Sequence, residues 1–198
     1  MLKKSKDLAG AAPDECKLAI LIIDMINDFN FEDGENLRFN TEKIVPNIIE
    51  LKRIAAQKNI PIIYVNDNFG KWKSNFKVLI EHCVNDNSAG KEIVSRIQPN
   101  EEDYFVLKPK HSGFFSTTLE ILLEYLNTEA LVLAGITTDI CVLFTAHDAY
   151  MRDFKIIIPS DCVAAVTDEQ NSTALEIIGR TAKAEIAELR ELDLEKYL

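Results

Sequence analysis

The sequence predicts an α/β fold: a mainly parallel sheet with helices on both faces. Three observations predict it. Short apolar runs of strand length recur at residues 18–23 (LAILII), 60–65 (IPIIYV), 104–107 (YFVL), 131–134 (LVLA) and 154–158 (FKIII). Runs this continuous suit strands buried on both faces. Stretches with helical apolar spacing lie between them, and such alternation implies right-handed crossovers between parallel strands.

Taken in order, residues 1–17 are polar and rich in small side chains, and read as a tail or lead-in segment. The first strand runs directly into Asp24. Residues 25–40, rich in Asp, Asn, Glu and Phe, are predicted to be loop. Thr41 can cap a helix to about residue 58, whose apolar face is Ile44, Ile48, Leu51, Ile54 and Ala55. Asn59 breaks it. The second strand carries Pro61 near its start, where a proline is tolerated.

Residues 66–75 (NDNFGKWKSN) form a loop, followed by a short helix through Phe76, Val78, Leu79 and Ile80 and a polar loop at 85–90. After a turn at 100–103, the third strand stops at Lys108-Pro109. A helix over 114–126 turns Leu119, Leu122, Leu123 and Leu126 inward. Gly135 ends the fourth strand. Thr137, Thr138 and Asp139 then open a helix that carries Cys141 in its first turn. Pro159 stops the fifth strand, Thr167 or Asp168 caps a helix to about residue 182, and a last helix covers 184–194. No repeat, low-complexity block or linker interrupts the chain, so residues 1–198 read as one domain.

A formal net charge of −10 disfavours a nucleic-acid or anionic-membrane partner. Cys16, Cys83, Cys141 and Cys162 are scattered, with no CxxC pair and no Cys/His ligand spacing, which disfavours structural zinc and a disulfide framework. The amino-terminal stretch lacks the apolar core of a signal peptide, and no segment has transmembrane length. The expected compartment is the cytoplasm. No GxGxxG turn follows a strand, which argues against a nucleotide-binding protein. No resolving cysteine lies close to Cys141 in sequence, which argues against a thiol-redox protein.

In an open parallel sheet, ligands bind beyond the carboxyl ends of the strands. Asp24, Lys108 and Cys141 are all expected there. At a helix N-terminus the free N–H groups and the dipole favour thiolate over thiol, which makes Cys141 a candidate nucleophile. A carboxylate could take the thiol proton, and an ammonium could stabilise both anions. Each residue also has a plainer role: Cys141 as a small buried hydrophobe, Asp24 as a turn cap, Lys108 as a solvated charge. Their joint placement at one sheet edge favours the chemical reading.

These residues sit in runs that resemble the isochorismatase-like cysteine hydrolases. Residues 107–119 (LKPKHSGFFSTTL) resemble that family's lysine motif, residues 135–142 (GITTDICV) its nucleophile motif, and residues 21–25 (LIIDM) its aspartate strand. The resemblance extends from about residue 18 to residue 167. It implies a Rossmann-like three-layer sandwich and a triad in which Cys141 is the nucleophile, Asp24 the general base and Lys108 the electrostatic partner of both. It also implies a cis peptide between Ile136 and Thr137, with the amides of Thr137 and Cys141 turned toward an oxyanion. The expected chemistry is cleavage of a carbon–nitrogen bond in a small amide or ureide through a thioester. Vinyl-ether hydrolysis of the isochorismatase type and a non-catalytic binding or scaffold role remain the alternatives.

Homo-oligomers, dimer or tetramer, are usual in the family. Nicotinamidases of the family carry an Asp-x-His metal motif after the second strand. Here Phe69 follows Asp67-Asn68, so no catalytic metal and no cofactor are expected, and Asp67 is expected to shape the loop or bond a neighbour. His82 lies too far along the chain to complete that motif. Phe29, Trp72 and Phe115 are candidate apolar walls for a small-molecule substrate, with core or interface packing as the alternative. His111 could face the cleft or stand in solvent. His147, almost two turns beyond Cys141, is expected to be too distant to serve as its base.

Overall fold

A computed structural model describes residues 15–68, 76–85 and 88–198. Among them a seven-stranded, wholly parallel sheet carries helices on both faces. The strands are β1 (Leu18–Ile23), β2 (Ile62–Asp67), β3 (Tyr104–Lys108), β4 (Ala130–Ile136), β5 (Lys155–Pro159), β6 (Val163–Ala164) and β7 (Glu185–Ala187). The helices are α1 (Gly34–Lys58), α2 (Phe76–Asn85), α3 (Lys91–Arg96), α4 (Leu119–Tyr125), α5 (Leu143–Tyr150) and α6 (Asp168–Thr181).

The spatial order is β3-β2-β1-β4-β5-β7, with β6 pairing the end of β4. From β1 the chain winds outward through β2 and β3, then returns to place β4 on the other side of β1. The reversal opens a crevice at the carboxyl ends of β1 and β4, where an open parallel sheet takes its ligands. The alternate side chains of β1 explain the two cores. Leu18, Ile20 and Ile22 face one helix layer with Ile48 and Leu51 of α1. Ala19, Leu21 and Ile23 face the other with Leu119 and Leu123 of α4. Residues 18–27 are all buried, as a central strand requires.

Several boundaries differ from those the sequence predicts. The first helix begins at Gly34, and Thr41 lies inside it, its hydroxyl donating to Leu37 O at 2.7 Å rather than capping. The buried apolar series continues upstream to Leu37, and Gly34 is so close to Phe29 that a Cβ would stand 2.1 Å from its carbonyl oxygen. Residues 114–118 form turns, and the predicted helix there is shortened to α4. The short α3 was not legible as an element. Thr167 caps α6 through a reciprocal pairing with Gln170, as a capping box does.

The largest correction is at the carboxyl terminus. The predicted helix over 184–194 is instead β7 followed by two short 3₁₀ turns, Leu189–Glu191 and Leu194–Tyr197. The free edge of β5 captures Glu185–Ala187 as a parallel strand, and Asp161 accepts the Leu189 N–H at 2.8 Å. Sheet completion overrides the local helical preference of this Glu-, Leu- and Ala-rich run.

Candidate active site

Three adjacent strands end together, and the register decides which side chains meet. Ile23 pairs with Val65 of β2 and with Gly135 of β4, so Asp24 leaves β1 level with the ends of both. Asp24 takes a left-handed conformation, φ 51°, and donates its N–H to Val65 O at 2.9 Å. Asp tolerates that region better than most residues. Asp67, the last residue of β2, pairs with Lys108, the last residue of β3. On the other side, β4 passes so close to β1 that a Cβ on Gly135 would stand 2.1 Å from Ile23 O, and Gly135 has φ +116°. Only glycine fits both conditions.

Beyond β4 the Ile136–Thr137 peptide is cis, and the chain enters a π-helical turn over Thr138–Val142 before α5. Val142 N–H bonds back to Thr137 O at 3.1 Å. Thr138 is fully buried, and its hydroxyl donates to Asn171 of α6 at 2.5 Å, which ties the turn to the helix layer. Cys141 sits in this turn, half-buried.

Asp24, Lys108 and Cys141 therefore converge, although their numbers are far apart. Lys108 Nζ lies 2.8 Å from Asp24 Oδ2 and 3.4 Å from Cys141 Sγ. The Asp24 carboxylate also acts on the thiol. Asp67 joins from the other side: its N–H donates to Asp24 Oδ1 at 2.7 Å, and its carboxylate lies 3.8 Å from Lys108 Nζ. The Lys108 side chain is wholly shielded from solvent.

The electrostatics follow from that burial. Loss of water raises the pKa of Asp24 above its ordinary 3.8, against the opposing pull of Lys108. Lys108 is pushed down by burial, but Asp24, Cys141 and Asp67 together outweigh this and hold it above 10.5. Burial, then the Asp24 charge, push the Cys141 thiol up, and Lys108 offsets only part of the rise. This runs against the thiolate expected from a helix N-terminus: the turn is buried beside a carboxylate, and both push the thiol pKa up.

The other positions divide. Phe29 is 4% exposed and belongs to the core with Met25 and Leu37, so its role is packing. Phe115 is 54% exposed. Trp72 and Phe69 lie outside the described residues. His111 is exposed, its ring 5.5 Å from that of Phe144 on α5. The nitrogens of His147 contact Leu143 O and Thr181 Oγ1 at 2.8 and 2.7 Å. His82 pairs with Asp28 at 3.1 Å, and among the described residues no three His, Cys, Asp or Glu side chains gather as a metal-binding set. A groove of about 470 Å³ between β3 and α4, lined by Phe105, Ile121 and Tyr125, lies away from these strand ends.

Sequence reasoning did not place Asp67 against Lys108. The signal was available in the strand pairing: both residues close neighbouring parallel strands. Thr137 Oγ1 and Asp139 Oδ1, on either side of buried Thr138, are buried atoms without a hydrogen-bond partner among the described residues. Nothing in the residue pattern marked them.

A family model of the Isochorismatase domain matches residues 18–188. An uncharacterized isochorismatase family protein of Bacillus subtilis, YaaI, is 48% identical over 168 residues, covering 85% of this chain and 92% of the relative. A probable inactive nicotinamidase of Arabidopsis thaliana is 32% identical over 161 residues, covering 76% of this chain and 82% of the relative. Among solved structures, N-carbamoylsarcosine amidase of Thermoplasma acidophilum superposes with a TM-score of 0.70 at 26% identity, over 89% of this chain and 99% of that one. Domain match, sequence relatives and architecture agree: the chain belongs to the isochorismatase-like family of hydrolases.

Proposed function

We propose that the protein is a cysteine hydrolase that cleaves a carbon–nitrogen bond of a small amide or ureide, with Cys141, Asp24 and Lys108 as its triad. The observation that carries this reading is one buried ammonium within 2.8 Å of a carboxylate and 3.4 Å of a half-buried sulfur. The thermoplasmal neighbour's activity, an N-carbamoyl amidase, supports the choice of bond.

In the first step Asp24 takes the thiol proton as Cys141 Sγ adds to the substrate carbonyl carbon. Lys108 holds the emerging thiolate, which compensates for the raised thiol pKa. The N–H groups of Thr137 and Cys141 are assigned to the oxyanion, at about 3 kcal/mol each in the transition state. The carbon–nitrogen bond then breaks, and Asp24 returns its proton to the leaving ammonia or amine. A water, deprotonated by Asp24, attacks the thioester; the sulfur leaves and regains a proton, and the acid is released. Asp24 serves as base and acid in turn because its pKa lies above that of an ordinary carboxyl.

The partners proposed are a small-molecule substrate and further copies of this chain, in the cytoplasm. No helix of the described residues is long and apolar enough to cross a membrane. Vinyl-ether cleavage is the second reading, favoured by the family's namesake activity, but it gives the thiol no necessary role. A non-catalytic protein is the third, suggested by the relative named as inactive. The bonded triad argues against it.

The test is a panel of amides, ureides and isochorismate, followed by ammonia, amine or ether-cleavage product, with the protein and its Cys141→Ala variant. The expected result is carbon–nitrogen cleavage that falls at least about a thousandfold in the variant. Full turnover by Cys141→Ala, or cleavage of isochorismate alone, would overturn the proposal.

A further inference from the structure

We propose that Asp67 is a positioning residue: its carboxylate shares Lys108 with Asp24, and so leaves Asp24 a strong enough base to take the Cys141 proton. The inference rests on the triad reading above and assigns a fourth group to it. Asp67 is attached to the cluster twice. Its main-chain N–H fixes Asp24 Oδ1 at 2.7 Å, and its Oδ2 stands 3.8 Å from Lys108 Nζ. The ammonium has three N–H groups and, among the described residues, three facing partners. These are Asp24 beyond β1, Asp67 at the end of β2, and Cys141 in the turn after β4. The Asp67 side chain is 38% exposed against 10% for Asp24, so it forms the water-facing wall of the cluster.

Counting charge shows what it does. Among the described residues, two carboxylates and one ammonium leave a single net negative charge. When Asp24 accepts the thiol proton, that charge moves to sulfur, and Asp67 is the carboxylate that stays with the ammonium throughout. Were residue 67 neutral, the field of Lys108 would fall on Asp24 unshared. Asp24 would be held more firmly ionised, and would be a weaker base.

The experiment follows alkylation of Cys141 by iodoacetamide against pH, read by peptide mass spectrometry, in the full chain and in its Asp67→Asn and Asp67→Glu variants. Half-buried Cys16, at the opposite end of β1, serves as the internal reference in every sample. Removing a negative charge lowers the proton affinity of each neighbouring group. The expected Asn profile therefore begins its plateau about half a unit lower in pH, where Asp24 now loses its own proton, and that plateau is roughly threefold lower, because the weaker base leaves less thiolate. The Glu variant keeps the parent profile. An Asn profile that superimposes on the parent, or a Glu profile shifted as far as Asn, would overturn the inference while leaving the nucleophile in place. A Cys141 that fails to react at any pH in the parent protein would overturn both.

Discussion

Lys108 and Lys52 are both drawn out of bulk water against a carboxylate, and their surroundings tune them in opposite directions. Lys52, on α1, donates to Tyr64 Oη at 2.6 Å and to Gln98 O at 2.7 Å, and lies 3.4 Å from Asp103 Oδ2. Tyr64 in turn donates to Ile97 O at 2.5 Å. Two of the three acceptors of Lys52 are neutral, so burial prevails and its pKa falls below 10.5, with Asp103 opposing. Lys108 suffers the same burial, but it faces two carboxylates and a thiol, and its pKa rises. The difference teaches what separates a fastening from a reactive cluster. The Lys52 group spends its donors on fixed acceptors that tie α1 to the segment before β3. The Lys108 group holds one ammonium against a carboxylate and a thiol, the pair proposed to exchange a proton.

The sharpest way to break this comparison is to remove each lysine. Lys108→Met is expected to lower turnover by about 10² to 10³, because the developing thiolate loses its counter-charge in a dry site. Lys52→Met should leave turnover within about twofold. Both should lose stability: about 3 to 5 kcal/mol for Lys108, whose removal breaks the buried pair with Asp24, and about 1 to 3 kcal/mol for Lys52, since Asp103 still accepts the Asn100 N–H at 2.8 Å. Denaturant unfolding and steady-state kinetics on the two variants check this. Equal kinetic losses would erase the distinction.

A smaller effect sharpens it, through alkaline stability. The raised pKa of Lys108 stabilises the fold fully below 10.5, and that contribution is lost as pH climbs through the folded value. Lys52 has the opposite sign. Between its depressed folded value and 10.5 the unfolded chain holds the extra proton, so stability rises with pH. Unfolding curves across the alkaline range should therefore show the advantage of the parent over Lys108→Met shrinking while its advantage over Lys52→Met grows. Parallel trends would contradict the assigned directions.

Much of this arrangement was legible in the residues because central parallel strands announce themselves. The apolar runs ending at Asp24, Lys108 and Gly135 located the strand ends to within a residue, β4 running on through Gly135 to Ile136, and parallel order then brought Asp24, Lys108 and Cys141 to one side. What depended on contacts distant in sequence was not legible. Asp67 reads as a loop residue until β2 is paired with β3. Glu185–Ala187 reads as helix until the open edge of β5 is known. Phe29 sits in a polar segment, and only the packing of Gly34 and Leu37 around it shows that it is core. Cys141 was placed in a helix's first turn, but its ionisation depends on how deeply that turn is buried, which local sequence does not carry.

The most direct measurement of the central claim is peptide mass spectrometry of protein acid-quenched during turnover of a substrate found in the amide and ureide panel. The expected result is an acyl adduct on Cys141, of the mass of the substrate less its leaving amine, and none on Cys16, Cys83 or Cys162. Sustained product release without that adduct, together with undiminished turnover by Cys141→Ala, would contradict it.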